Sequence, residues 1–205
     1  MDVNKLSLGP LGTNCYVISN DKESIIFDPG GDADQIVNWI EKSQLNPVAI
    51  CLTHAHFDHI GAVEPLREQY EIPVYLHELE ENWLSDPTLN GSSFFPVEDI
   101  VVQSCDAFLE EGKMKLQSFE FEILHTPGHS PGGVAFVFNR EKKIIGGDSL
   151  FHHGIGRTDL PGGDFDTLIN SIKTKLFKYE DDYEVFPGHG PLTTIGNEKR
   201  ENPFL

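Results

Sequence analysis

The sequence predicts a mixed α/β layered domain. Short strand-like apolar runs fall into two groups along the chain, and amphipathic helical segments are interspersed among them. Apolar residues make up 39% of the 205, a share able to bury a core, and the length suits one domain over residues 1–205. Periodicity leaves the order of the layers open.

The elements follow from local pattern. Asn14–Ser19 and Ser24–Phe27 read as strands around the polar turn Asn20–Glu23. Asp28-Pro29-Gly30-Gly31 stops the second strand. Asp32 or Asp34 then caps a helix through about Gln44, with Ile36, Val37 and Ile40 on one face. Val48–Leu52 is a short apolar run of the kind buried on both faces, and Thr53–His59 follows it as a loop. A helix is expected over Ile60–Tyr70, with Pro65 in its first turn or at a kink. Pro73–Leu76 is a strand, and Ser85–Pro96, broken by Pro87, Asn90, Gly91 and Pro96, is a loop. Phe119–Leu124 alternates as a half-buried strand does. Val134–Phe138 and Lys143–Ile145 are strands joined by a polar turn, Asp166–Phe177 is an amphipathic helix, Tyr183–Phe186 is a strand, and Ile195–Arg200 is a short helix.

Charge narrows the function classes. The formal net charge is -18, which argues against nucleic acid and against an anionic membrane surface, both of which call for Lys and Arg. No apolar run reaches membrane-spanning length and the N-terminus lacks a leader pattern. The three cysteines, Cys15, Cys51 and Cys105, are odd in number, widely spaced and without a CxxC. They read as small buried residues, not as a disulfide framework or a thiolate zinc site. A cytoplasmic protein with a small-molecule substrate is the expectation; the sequence leaves the oligomeric state open.

The informative segment is Thr53-His54-Ala55-His56-Phe57-Asp58-His59, directly after a buried strand. His54 and His56 project the same way in extended backbone, and Asp58 and His59 can turn to a second point. Three more donors follow strands: His129 in Thr126-Pro127-Gly128-His129-Ser130, Asp148 in Gly147-Asp148-Ser149, and His189 in Pro187-Gly188-His189-Gly190. Glycine and proline beside each form the tight turns that hold a side chain at a strand end. Seven imidazole and carboxylate donors exceed one tetrahedral ion and fit two divalent ions, which suits zinc while leaving iron or manganese open. His77, His125, His152 and His153 read as packed or solvated side chains instead.

His54-x-His56-x-Asp58-His59, followed in order by His129, Asp148 and His189, resembles the metallo-β-lactamase superfamily, and Asp28 is similar to that family's early aspartate. The resemblance implies an αββα four-layer sandwich with the metals at one edge. It implies His54, His56 and His129 on one ion, Asp58, His59 and His189 on the other, and Asp148 bridging. Within the superfamily the chain looks most like glyoxalase II, the hydroxyacylglutathione hydrolases, through Gly147–Phe151, Gly156-Arg157 and Thr126–Ser130. The run Gly156–Asp164 and the ending Asn202-Pro203-Phe204-Leu205 look like the short single-domain bacterial members. Two-domain members carry a C-terminal helical domain that supplies much of the glutathione site. This chain ends sixteen residues after His189, so those contacts are not carried over.

The implied activity is hydrolysis of an acyl thioester by metal-activated water, with Asp58 and Asp148 as the catalytic carboxylates. Arg157 is the candidate for an acidic group on the substrate, set against a structural arginine in its own loop. Phe151 is a candidate cleft residue, set against a core aromatic. The rivals are an iron-dependent persulfide dioxygenase on the same fold and a non-catalytic metal-binding module. True β-lactamases of the common dizinc type carry Cys at the place of Asp148, and flavodiiron proteins carry Glu at the place of His56. RNA-processing members need a nucleic-acid grip that the acidic balance lacks.

Overall fold

The computed structural model describes all residues, Met1–Leu205. It resolves into two compact units: Met1–Leu109 with Leu116–Phe119, and Glu110–Lys115 with Glu120–Leu205.

The first unit holds strands β1 (Asp2–Leu8), β2 (Thr13–Asn20), β3 (Glu23–Phe27), β4 (Asn46–Cys51), β5 (Val74–Leu76) and β6 (Ala107–Phe108), in that order across one sheet. β1, β2 and β3 form an antiparallel meander, and β3 through β6 are parallel. Parallel neighbours require crossovers, which α1 (Ala33–Lys42) supplies between β3 and β4. α2 (Phe57–Ile60) and α3 (Val63–Tyr70) supply it between β4 and β5. Ile36, Ile40, Val63 and Leu66 from the helices join Ile26, Ile50 and Val74 from the strands in one core. Because β3, β4 and β5 run the same way, the chain leaves all three at one sheet edge, at Asp28, Leu52 and His77. β2 runs oppositely, so its first residue, Thr13, sits at that edge too.

A second sheet has the order β14 (Thr193–Thr194), β13 (Glu184–Pro187), β10 (Lys143–Gly147), β9 (Val134–Phe138), β8 (Phe119–His125) and β7 (Gly112–Leu116). β11 (Leu150–Phe151) and β12 (Gly154–Ile155) form a separate two-stranded hairpin. β8 and β10 each pair antiparallel with β9, and β10 pairs parallel with β13. β8, β10 and β13 therefore point the same way, and their carboxyl ends share an edge. α4 (Phe165–Ser171) runs on into a π-helical turn, Ile172–Leu176, and α5 (Ile195–Glu201) closes the unit. Leu168, Ile172, Leu176 and Ile195 pack with Val137, Ile144 and Val185. Asp164 caps α4 by accepting from the Thr167 N–H at 2.7 Å.

Interior strands match the sequence reading to within a residue or two. β1, β6, β7, β11, β12 and β14 were not foreseen: each is short or lies at a sheet edge. Asp32 stands at the start of α1 but does not cap it. Its φ is 50° and its carboxylate accepts from the Gly9 N–H at 2.8 Å instead. The expected loop Thr53–His59 is helical from Phe57 on. Ile60 belongs to that short turn, and α3 begins at Val63 with Pro65 in its first turn, where no amide donor is lost. The expected helix Asp166–Phe177 is α-helical only to Ser171.

Candidate metal centre

The side chains able to hold a metal ion are His54, His56, Asp58, His59, His129, Asp148 and His189, the same seven that the strand-end pattern picks out.

In the first unit the donors crowd the loop after β4. The His54 ring lies 4.8 Å from that of His56 and 4.0 Å from that of His59, between centroids. All four donors of this loop are buried. The loop hangs on Asp28. Asp28 has left-handed backbone (φ 49°), which turns its carboxylate back over the strand end. Its Oδ1 accepts from the Thr53 N–H and its Oδ2 from the Thr53 hydroxyl, both at 2.7 Å. Asp28 Oδ2 also lies 3.1 Å from His59 Nδ1. The Thr53 hydroxyl has thus given its proton to Asp28, so at 3.0 Å from His54 Nδ1 it accepts the proton of that nitrogen. This fixes the His54 tautomer and puts the lone pair on Nε2, the form a metal ligand needs.

Three further residues shape the loop, and sequence reasoning did not find them. Thr13 donates its hydroxyl to Asp58 Oδ2 at 2.7 Å. Glu80 is fully buried and accepts from the Ala55 N–H, between the first two histidines, at 2.6 Å. Asn90 accepts from the Phe57 N–H through its carbonyl at 2.9 Å. None sits in a motif, and Glu80 stands in the polar run Glu78-Leu79-Glu80-Glu81-Asn82, where nothing local separates it from its acidic neighbours. Gly30 lets the loop close, since a Cβ there would overlap the Asp58 carbonyl oxygen.

In the second unit the donors meet at a carboxylate. Asp148 Oδ2 lies 3.6 Å from His129 Nε2 and 3.4 Å from His189 Nε2. His129 Nδ1 lies 2.7 Å from the Arg157 carbonyl oxygen. A carbonyl only accepts, so the proton is on Nδ1 and the lone pair of Nε2 faces Asp148. Two electron-rich atoms at that separation suit a shared cation and not a direct hydrogen bond. Gly156 packs against this pair: a Cβ there would overlap the Asp148 carbonyl oxygen and come within 3.0 Å of His129 Nδ1.

Arg157, a candidate substrate contact, has its guanidinium bound to Asp159 through two 2.7 Å hydrogen bonds. That pairing holds the exposed Asp159 carboxyl down at about 2. The Phe151 ring is edge-on to His189, 6.1 Å between centroids. His125 Nε2 lies 2.9 Å from the Pro131 carbonyl, His77 accepts from the Leu79 N–H, and His152 and His153 stack on each other at 4.0 Å. The cysteines are free. Burial, with the negative Asp28 adding to it, pushes the thiols of Cys15 and Cys51 up and away from thiolate.

Known proteins resemble the chain over nearly its whole length. The family model described as the metallo-beta-lactamase superfamily matches residues 8–189. The chain is 44% identical to the "Probable metallo-hydrolase YqgX" of Bacillus subtilis (strain 168), over 100% of this chain and 98% of the relative. It is 40% identical to the "Hydroxyacylglutathione hydrolase GloC" of Haemophilus influenzae, over the same shares. Among solved structures, "BLEG-1 B3 metallo-beta-lactamase" is 49% identical with a TM-score of 0.97, covering 99% of each chain. "TTHA1623 in a di-iron-bound form" is 40% identical with a TM-score of 0.88, covering 98% of this chain and 100% of that one. The fold class expected from the sequence, α/β of the metallo-β-lactamase type with helices flanking the sheets, is the one these structures share. No helix is long and apolar enough to cross a membrane. On the family match across most of its length and the identities of its relatives, the chain belongs to the metallo-β-lactamase superfamily.

Proposed function

We propose that this member of a metallo-hydrolase family cleaves an acyl thioester, of the S-2-hydroxyacyl-glutathione kind or a related thiol ester, and that residues 1–205 act as one hydrolase domain in the cytoplasm. His54, His56 and His129 would hold one divalent ion, Asp58, His59 and His189 the other, with Asp148 between them. The observation that carries this reading is Asp148 Oδ2 facing the Nε2 atoms of both His129 and His189. The donor set fits: every ligand is nitrogen or oxygen, which suits zinc and also admits iron or manganese.

Bound divalent ions supply Lewis acidity, drawing the pKa of a coordinated water toward neutrality and polarising a carbonyl. The protein supplies orientation. Thr13 spends its hydroxyl proton on one oxygen of Asp58, which fixes the plane of that carboxylate and leaves it to orient a water by accepting a proton. The Arg157 carbonyl and the Thr53 hydroxyl hold the rings of His129 and His54 in a single tautomer. A thiol leaving group, with an ordinary pKa near 8.5, departs without a strong general acid, and none is required of this chain. Arg157 and Phe151 are the proposed contacts to the substrate's acidic end and acyl group.

The name of the hydroxyacylglutathione hydrolase relative supports the thioester. A second reading, β-lactam opening, has the likeness to the BLEG-1 B3 metallo-beta-lactamase in its favour. A third, persulfide oxidation at iron, has in its favour the likeness to ETHE1 from Myxococcus xanthus, 26% identical with a TM-score of 0.79, and the di-iron-bound relative. Steady-state assays on metal-loaded protein separate them. S-D-lactoylglutathione should be hydrolysed with kcat/KM at least about 100-fold above that for a β-lactam, and glutathione persulfide should produce no oxygen uptake. Efficient β-lactam opening, or oxygen uptake without thioester cleavage, would overturn the reading.

A further inference from the structure

The ending Asn202-Pro203-Phe204-Leu205 has no part in the chemistry above, yet its first residue, Asn202, is buried and fully hydrogen-bonded. Glu198 on α5 is completely buried. Its Oε1 accepts from the Thr193 hydroxyl. Its Oε2 accepts from the His153 N–H at 2.9 Å and from Asn202 Nδ2 at 2.8 Å. Asn202, itself buried, spends its other amide proton on the Gly154 carbonyl at 3.0 Å, and its Oδ1 accepts from the Phe204 N–H at 3.1 Å. A buried carboxyl and a buried amide, bonded to each other, thus each place one hydrogen bond on the β11–β12 hairpin, at His153 and Gly154. That turn contains His153 with φ 55°, an uncommon conformation for a residue other than glycine, and the clamp is what holds it there.

The hairpin is not remote from the donors. It begins two residues after Asp148 and ends two residues before Arg157, whose carbonyl fixes His129. Ser149 donates its hydroxyl to Thr126, in the loop that leads to His129, at 3.1 Å. Gly156 lies against both the Asp148 backbone and the His129 ring, without room for a Cβ. A shift of the hairpin by a fraction of an ångström therefore moves the Arg157 carbonyl and the Asp148 backbone together.

We propose that Glu198 and Asn202 are positioning residues: the C-terminal helix clamps the β11–β12 hairpin and thereby sets His129 and Asp148 for metal. The first half of the claim is independent of metal; the second rests on the proposed metal centre. Neither residue touches the reacting atoms.

The test uses full-length, metal-loaded protein with Glu198→Ala, Asn202→Ala and Glu198→Gln, and Arg200→Ala as a surface control. Amide hydrogen exchange over residues 150–157 and metal retention against a competing chelator are the readouts. Glutamine can keep its oxygen toward His153 and Asn202 and turn its amide toward the Thr193 hydroxyl, so Glu198→Gln should exchange close to wild type. Glu198→Ala and Asn202→Ala should speed exchange of 150–157 by about tenfold or more, leave 53–60 unchanged, and lower metal affinity by about tenfold, the lower end of what lost ligand-orienting partners cost. If Glu198→Ala does not fold, Asn202→Ala carries the test, since it leaves the buried Glu198 carboxylate with its bonds from the Thr193 hydroxyl and the His153 N–H. Unchanged exchange at 150–157, or a rise spread evenly over the chain, overturns the clamp. Faster local exchange with undiminished metal affinity overturns its link to the ligands. Wild-type protein that binds no metal would instead defeat the metal-centre reading, and the exchange result would still judge the clamp.

Discussion

At the scale of single residues, Asp28 governs the loop of candidate ligands without being one of the proposed ligands. It fastens Thr53 by two hydrogen bonds and stands beside His59 Nδ1. Asp28→Asn keeps the shape but turns one acceptor into a donor, so either Thr53 or His59 loses its partner. Metal affinity measured by chelator competition should fall about 10- to 100-fold; an unchanged affinity would show that the loop holds itself. Arg157 offers a second residue-scale prediction. Its hydrogen bonds depress Asp159 to about 2, below the ordinary 3.8. A depressed carboxyl keeps its pairing above its unfolded value and loses it only as pH falls through about 2, so the pair is intact across the working range. Asp159→Asn should release the guanidinium and lower KM for a carboxylate-bearing thioester by about threefold, while Arg157→Ala should raise it by about tenfold, with kcat little changed in both. Equal KM in all three proteins would assign Arg157 to its own loop alone. The seven candidate donors were legible in the sequence because His-x-His-x-Asp-His is dense and the other three follow strands through glycine and proline turns. Thr13 and Glu80 were not, because they reach the loop from 45 and 25 residues away through single hydrogen bonds that leave no spacing to read.

At the scale of elements, strand direction does the placing. β4 in one sheet, and β8, β10 and β13 in the other, each lead at a carboxyl end into a segment of candidate donors, and β3 leads into Asp28, which fastens the first of them; α/β sheets commonly bind ligands at such ends. Glycines then set the distances. Gly30→Ala would drive a Cβ into the Asp58 carbonyl, and the backbone must yield. We expect a loss of about 1–3 kcal/mol in denaturant unfolding and weakened metal binding; a variant as stable as wild type and fully loaded would contradict the packing described. Buried strands such as Val134–Phe138 were read correctly because both faces are apolar. Edge strands such as β1, with its mixed polar pattern, are held by pairing with β2, and pairing is a long-range fact that local sequence does not carry.

At the scale of the whole molecule, a net charge of -18 is self-repelling, and divalent cations bound to the folded chain would offset part of it. Binding to the native state alone stabilises it by about 2.7 kcal/mol at a hundredfold excess over Kd. Stripping metal should therefore lower the melting temperature by several degrees, with recovery on adding zinc; an unchanged melting curve would mean that no ion is bound. The central claim, that these donors hold two ions which make the chain a hydrolase, is tested most directly by one paired measurement on wild type and Asp148→Ala. Metal content per chain should be close to two in wild type and fall to one or less in the variant, with S-D-lactoylglutathione hydrolysis lost at least about 1,000-fold alongside it. Full hydrolysis by metal-free wild type, or by an Asp148→Ala protein stripped of metal, would contradict the account.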